Sequence, residues 1–300
     1  MVVNMNIHNV INTRTPNSSS QKNRASSLRI RNVKWLSFPY IIWMVGFIII
    51  PLLVIIYYGL TTKDKNITFE NIALIFNPIN LKALRLALEL SLISTVICLI
   101  LAYPLAMILS NSKMKSNSFI VMIIILPMWM NFLLRTIAWQ NILERTGIIN
   151  TILNFFNLPT LNIINTPAAI VLGMVYNFLP FMVLPIYNVL IKIDRDVVVA
   201  ARDLGANSLQ TFMKIILPLS LPGVVSGITM VFVPSLTTFV ISSILGGSKI
   251  VLIGNVIEQQ FRIGNWHTGS GLSLVLMIFI LLSMAILSKY DKEGGGSSLW

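Results

Sequence analysis

Charged side chains are scarce in this sequence: Asp, Glu, Lys and Arg make up 11% of its 300 residues, against 55% hydrophobic ones. Soluble domains carry about 25% charge. A chain so poor in charge cannot cover a water-facing surface, which excludes a water-soluble globule and makes lipid its solvent. The single cysteine, Cys98, lies in an apolar run and excludes both an intrachain disulfide and a thiolate metal cluster. The two histidines, His8 and His267, stand far apart, and no second histidine or cysteine lies near His267, so no zinc site is expected. There is no HExxH, no pair of intramembrane aspartates and no Walker lysine, and the glycines at 294–296 follow no strand. Acid/base, metal and phosphate-cradling chemistry therefore have no residues to rest on, and no resident cofactor is expected.

What the chain has instead is a series of apolar runs near 36–60, 83–110, 117–140, 166–192, 215–242 and 269–288. A bilayer crossing takes roughly 20 predominantly apolar residues, so the expectation is an all-α membrane protein with about six transmembrane helices. Residues 1–34, rich in Asn, Ser, Lys and Arg, read as a flexible basic tail, 35–290 as one membrane domain and 291–300 as a second flexible end. The first apolar run is too long and starts too late for a cleaved signal peptide. The net charge of +12 follows topology rather than nucleic acid. Placing the basic tail in the cytoplasm also puts Lys113, Lys115, Lys192, Arg195, Arg202, Lys214, Lys289 and Lys292 there, so most basic residues and both termini fall inside. Prolines at 39, 51, 104, 127, 180, 185 and 234 should bend their spans.

The segment 194–222, DRDVVVAARDLGANSLQTFMKIILPLSLP, is charged and helix-forming yet wedged between two spans on the cytoplasmic side. Ala200, Ala201 and Leu204 share a helical face, Gly205 breaks the run, and Ser208 is placed to cap a second short helix. This predicts two helices joined by a turn, with small residues where a partner backbone could come close. The spacing A-A-x3-G-x9-I-x-L-P, carried by Ala200, Ala201, Gly205, Ile215, Leu217 and Pro218, resembles the EAA loop of ABC importer permeases. That resemblance implies the type I (MetI-like) permease fold, with cytoplasmic coupling helices over 194–218 that insert into a separate ATPase dimer. It further implies that ATP and Mg are bound by that partner, that a second permease completes the path, and that an extracytoplasmic binding protein delivers substrate. Val199 stands where the motif has its acidic residue, so any ion pair made from that position is absent, with Asp196 or Asp203 as possible substitutes.

Through PMWMNFLLRTIAW at 127–139, DLGANSLQTFMKIILPLSLPG at 203–223 and LIGNVIEQQF at 252–261, the likeness narrows to the B-type permeases of spermidine/putrescine importers. A flexible polycation favours carboxylates, carbonyl oxygens and aromatic faces. The path candidates are Glu89, Trp129, Arg135, Tyr176, Phe178, Phe232 and Phe239. Each has a plainer reading: Glu89 can pair with Arg85, Arg135 can snorkel or be neutralised by Glu144 or a partner's acid, and the aromatics can be packing. The outer loop 246–268, with Glu258 and Trp266, and Glu144 before it, are candidates for binding-protein contact. The alternatives are an ABC permease for another small solute and an ion-coupled secondary transporter. The latter calls for paired repeats with buried ion-binding carboxylates, and no matching halves are visible.

Overall fold

Hydrocarbon offers no hydrogen-bond partner to a peptide group, so every backbone segment inside it must close its own bonds, and the helix does so within one segment. The computed structural model describes residues 38–111, 122, 126–247 and 249–294. Among them five helices are long and apolar enough to cross a membrane: Phe38–Gly59, Pro78–Ser110, Pro167–Leu190, Ser208–Thr237 and Trp266–Leu287. In chain order the elements are α1 (Phe38–Gly59), α2 (Glu70–Ala73), α3 (Pro78–Asn111), α4 (Phe132–Leu143), α5 (Ile148–Phe155), α6 (Pro167–Leu190), α7 (Arg195–Asp203), α8 (Ser208–Thr211), α9 (Leu217–Thr237), α10 (Val240–Leu245), α11 (Ile253–Arg262) and α12 (Trp266–Gly294).

The expected third span, 117–140, is not one helix among its described residues. Leu126–Trp129 form a 3-10 turn around Pro127, and Asn131 opens α4 as a separate helix by accepting bonds from the Leu133 and Leu134 amides at 2.8 and 3.3 Å. A side-chain oxygen that satisfies two orphan amides makes a strong helix start, which the apolar composition of the run conceals. Residues 112–121 and 123–125, with Lys113 and Lys115, lie outside the described residues, as does the tail 1–34. Of the expected end at 291–300, residues 291–294 continue α12 and the rest lie outside. The fifth span also ends earlier than its apolar run: α9 stops at Thr237 and a short α10 follows.

Helix α6 is central. It packs along both α3 and α9, which also touch each other, while α12 packs on α9 and α11. More than half of its most apolar stretch is buried, against about a third or less in the other spans. Its buried side, Ile170, Met174, Met182, Val183 and Ile186, meets α9 at two glycines. A Cβ on Gly223 would stand 2.8 Å from the Pro185 carbonyl oxygen and 3.1 Å from the Ile186 Cα, and one on Gly227 2.7 Å from the Met182 Sδ. Small residues let membrane helices approach closely enough for dispersion to hold them, because lipid tails supply no hydrophobic drive between helices. Hydroxyls in the spans are closed locally: Ser94, Thr95, Thr229 and Ser273 each donate to the carbonyl four residues earlier.

The prolines are handled in more than one way. Pro104, Pro180, Pro185, Pro222 and Pro234 lie inside helices that continue through them. Before Pro51 and Pro218 the backbone widens into π-turns, Val45–Ile49 and Phe212–Ile216, each ending two residues ahead of the ring. A wider turn makes room for the ring and reassigns the carbonyl whose usual donor proline lacks.

The Gly223 contact is testable. Gly223→Ala is expected to cost about 1–3 kcal/mol as an overpacked contact against rigid backbone, seen as a lower melting temperature in detergent. Gly46→Ala, where an added Cβ meets nothing within 4 Å, should leave it unchanged.

Candidate functional site

Segment 194–218 forms the predicted pair of helices, with its caps placed differently than the sequence suggests. Asp194 starts α7 by accepting from the Asp196 amide at 3.0 Å, Asp196 lies in the first turn and Arg202 in the last, so both charges oppose the helix dipole. The helix ends in a Schellman turn: the Ala206 amide donates to the Ala201 carbonyl at 3.0 Å and the Gly205 amide to Arg202 at 2.9 Å. Gly205 has φ +87, the left-handed region that glycine enters without steric cost. Asn207, not Ser208, then caps α8 through a capping box, its side chain accepting from the Gln210 amide at 2.8 Å while Gln210 accepts from the Asn207 amide at 3.0 Å. Ser208 is the first helical residue.

No residue of α7 is buried. Val199 and Ala200 are exposed, Ala201 is half-buried, and Leu204 at the turn is 89% exposed. A Cβ at Gly205 would meet nothing within 4 Å, so within the chain this glycine answers only to its backbone angle. Ile215 and Leu217 are half-buried where the π-turn enters α9, and Pro218 is exposed. This entry is clamped to the bundle by Tyr103 on α3. Its hydroxyl shares a 2.7 Å hydrogen bond with Ser220, and its ring stands edge-on to Phe212 at 5.6 Å. The two contacts reach the first residue of the π-turn and a residue beyond its end.

The path candidates do not line one surface. Glu89 pairs with Arg85 at 2.8 Å on an exposed face of α3. Trp129 is exposed in the 3-10 turn before α4. Phe178 is in the core, stacked on Phe132 at 6.5 Å, while Tyr176 faces the other way and meets Trp139 edge-on at 5.2 Å. That pair borders an apolar groove of about 630 Å³ between α3, α4 and α6. Phe232 is half-buried against the core. Phe239 lines a second groove of about 640 Å³ with Glu258, Phe261, Leu276 and Met277, which brings a path candidate and a binding-protein candidate together. Arg135 is buried, and its Nε and Nη1 have no hydrogen-bond partner among the described residues.

The loop expected at 246–268 is largely helix. Leu252, Ile253, Gly254 and Val256 are buried, and a Gly254 Cβ would sit 2.8 Å from the Thr237 carbonyl. Asn255 holds this return of the chain: its Oδ1 accepts from the Ser242 hydroxyl at 2.6 Å and the Leu252 amide at 3.0 Å, and its Nδ2 donates to the Phe239 carbonyl at 3.0 Å and the Ser243 hydroxyl at 2.8 Å. Glu258 pairs with Arg262, and Trp266, half exposed, tilts on Phe261 at 5.6 Å. Glu144 is exposed at the end of α4, unpaired with Arg135. His267 uses Nδ1 on the Thr61 and Tyr58 carbonyls at 2.6 and 3.1 Å, tying α12 to the end of α1. No group of three or more His, Cys, Asp or Glu able to hold a metal occurs among the described residues.

The family model for the binding-protein-dependent transport system inner membrane component matches residues 80–290. The chain belongs to this family of ABC importer permeases. The permease is 36% identical over 260 residues to the Haemophilus influenzae spermidine/putrescine transport system permease protein PotB, covering 83% of this chain and 91% of that one. It is 36% identical over 259 residues to the Escherichia coli K12 protein of the same name, covering 83% and 94%. In fold it matches a chain of a bacterial ABC transporter that imports alginate with a TM-score of 0.76 at 16% identity, over 91% of this chain and 99% of that one. A chain of the MetNI methionine transporter matches with a TM-score of 0.55 at 19% identity, over 72% and 95%. The permease is thus a multi-pass inner-membrane transport subunit of type I architecture.

Sequence reasoning passed over Tyr103, Asn207 and Asn255. Both asparagines fall within stretches quoted for their likeness; Asn207 stands three residues before Gln210, the spacing of a capping box, while Asn255 reaches Phe239, Ser242 and Ser243 12 to 16 residues away.

Asn207→Ala should remove about 1 kcal/mol from α8 and speed amide exchange at 207–211, leaving the melting temperature of the bundle unchanged. Equal loss of protection throughout α9 would contradict this local role.

Proposed function

We propose that the permease imports polyamines of the spermidine/putrescine class, docking on an ATPase dimer through 194–218. The observation that carries the coupling role is the shape of this segment. Two capped helices and a rigid turn are held out with nothing of α7 buried, and with a small-residue face around Ala200 and Gly205. A structure so fully capped yet so little packed is built to receive another protein. The polyamine assignment is supported by the names of relatives that share more than a third of their residues over most of this chain.

In this reading ATP and Mg are held by the ATPase, and closure of its dimer moves α7 and α8. The motion passes through the π-turn and the Tyr103 clamp to α3 and α9. A second permease, either a C-type homologue or a second copy, closes the path, and both termini of this chain are cytoplasmic. A polyamine-loaded binding protein docks on the opposite face, where Glu144, Glu258 and Trp266 are the contact candidates. Glu89, Trp129, Arg135, Tyr176, Phe178, Phe232 and Phe239 remain candidates for the path, with Phe239 and Glu258 meeting in one groove. Val199 places an exposed apolar group where the motif carries an acid, so the contact at that position is made by packing and not by an ion pair.

The chain, co-expressed with its ATPase and reconstituted, should show ATPase activity stimulated by spermidine- or putrescine-loaded binding protein. An ATPase that co-purifies but ignores polyamines would keep the importer and discard the substrate. Gly205→Asp should insert normally and lose stimulation at least tenfold. Aspartate visits the left-handed region at lower cost than most residues, so the turn survives while a charged side chain fills the approach surface. Normal stimulation in this variant would remove the coupling role of 194–218.

A further inference from the structure

No Lys, Arg, Asp or Glu occurs between Arg145 and Lys192, so the connection from α4 to α6 is uncharged from Thr146 onward, with Glu144 and Arg145 at its start. That connection is also tightly built. Gly147 turns directly off the end of α4, where a Cβ would stand 2.4 Å from the Asn141 carbonyl oxygen. The side chain of Asn150, 2% exposed, donates to the carbonyls of Glu144 at 3.0 Å and Leu161 at 2.9 Å and accepts from the Leu161 amide at 2.7 Å. One buried amide thus closes the loop into a compact hairpin around α5. Asn157, with φ 53, ends the helix in the left-handed region that asparagine tolerates.

The hairpin displays its apolar groups and does not hide them. Ile148, Ile152, Phe155 and Phe156 lie along one face of α5 and are 61%, 53%, 82% and 65% exposed, while Asn150 and Asn154 lie on the other. Leu158 and Leu161 extend the exposed apolar surface. A patch of this kind marks a contact with protein or membrane.

We propose that α5 is a membrane-interface anchor whose Ile148, Ile152, Phe155 and Phe156 face enters the headgroup–acyl boundary of the leaflet on its side. Three observations select lipid over a protein partner. The hairpin is tied to the end of α4 through the Glu144 carbonyl and runs into the span α6 at Pro167, and an eight-residue helix is only about 12 Å long, so the patch stays near the level where that span leaves the bilayer. From Ile148 to Leu161 it carries no charge to steer or orient a docking protein, and of the residues that enrich protein interfaces it has Phe but no Tyr, Trp, Met or Arg. The face opposite is neutral and bears the exposed Asn154, with Asn150 closed inside the hairpin. Because that face has no Lys or Arg, insertion is independent of anionic lipid.

The test uses the whole chain with Cys98→Ser, which removes its one cysteine, and a nitroxide on Phe155→Cys, Ile152→Cys or Asn154→Cys in phosphatidylcholine vesicles. Collision rates with oxygen and with a water-soluble nickel chelate are read by electron paramagnetic resonance. Labels at 155 and 152 should favour oxygen over nickel at least threefold relative to 154. The ratio should not change with added phosphatidylglycerol or with substrate-loaded binding protein. Nickel access at 155 and 152 equal to that at 154 would overturn the proposal by placing the face in water. Shielding that develops only when binding protein is added would overturn it in favour of protein docking.

Discussion

The obligation to satisfy every peptide group without water governs this permease. It makes each crossing a helix and leaves little besides side-chain size to decide how the helices meet. Where α6 and α9 converge, glycines 223 and 227 give up their side chains so that two backbones can come within contact distance. Helix α3 then lies against both, and α12 against α9. The polar groups within the bundle are mostly serine and threonine hydroxyls closed on their own helix, so they cost little and hold little. Asparagines 150 and 255 do something different: each spans two segments and turns an irregular return of the chain into a fixed one.

The same obligation explains where the backbone departs from α geometry. Pro51 and Pro218 would each leave a carbonyl without its donor, and the turn before each is widened to π form. At Pro218 the departure coincides with the entry from the exposed helices α7 and α8 into α9, beside Tyr103. A π-turn at that entry is a softer joint than a regular helix, yet the Tyr103 ring and hydroxyl hold residues on both sides of it. The exposed segment is closed by its own caps, and the Tyr103 contacts tie its exit to the bundle.

Charge is distributed with the same economy. The exposed helices of 194–218 carry aspartates and arginines, the pairs Arg85–Glu89 and Arg262–Glu258 lie on exposed helix faces, and exposed pairs of this kind contribute little to stability. Arg135 is the exception, a buried guanidinium with two nitrogens that have no hydrogen-bond partner among the described residues.

Solvent, fold class and the two-helix form of 194–218 were legible in the sequence, because apolar run length and the alanine–glycine–proline spacing act locally. A run of some twenty apolar residues in lipid has to close its own hydrogen bonds, which favours helix, and a glycine after a helical stretch readily turns it. The break at Asn131 and the helix over 253–262 were concealed by the composition around them, whereas the capping role of Asn207 in place of Ser208 stood in its Asn-x-x-Gln spacing and was passed over. The path residues were the least legible: aromatic periodicity cannot tell the buried Phe178 from the groove-facing Tyr176 two positions away. By itself the sequence determined that the chain lives in lipid and carries two short helices joined by a turn at 194–218, since burial in hydrocarbon and left-handed backbone are properties of single residues and short runs. Only the tertiary structure decided which faces are spent on internal packing and which, like those of α5 and α7, are left for something else, since that depends on contacts between segments distant in the chain.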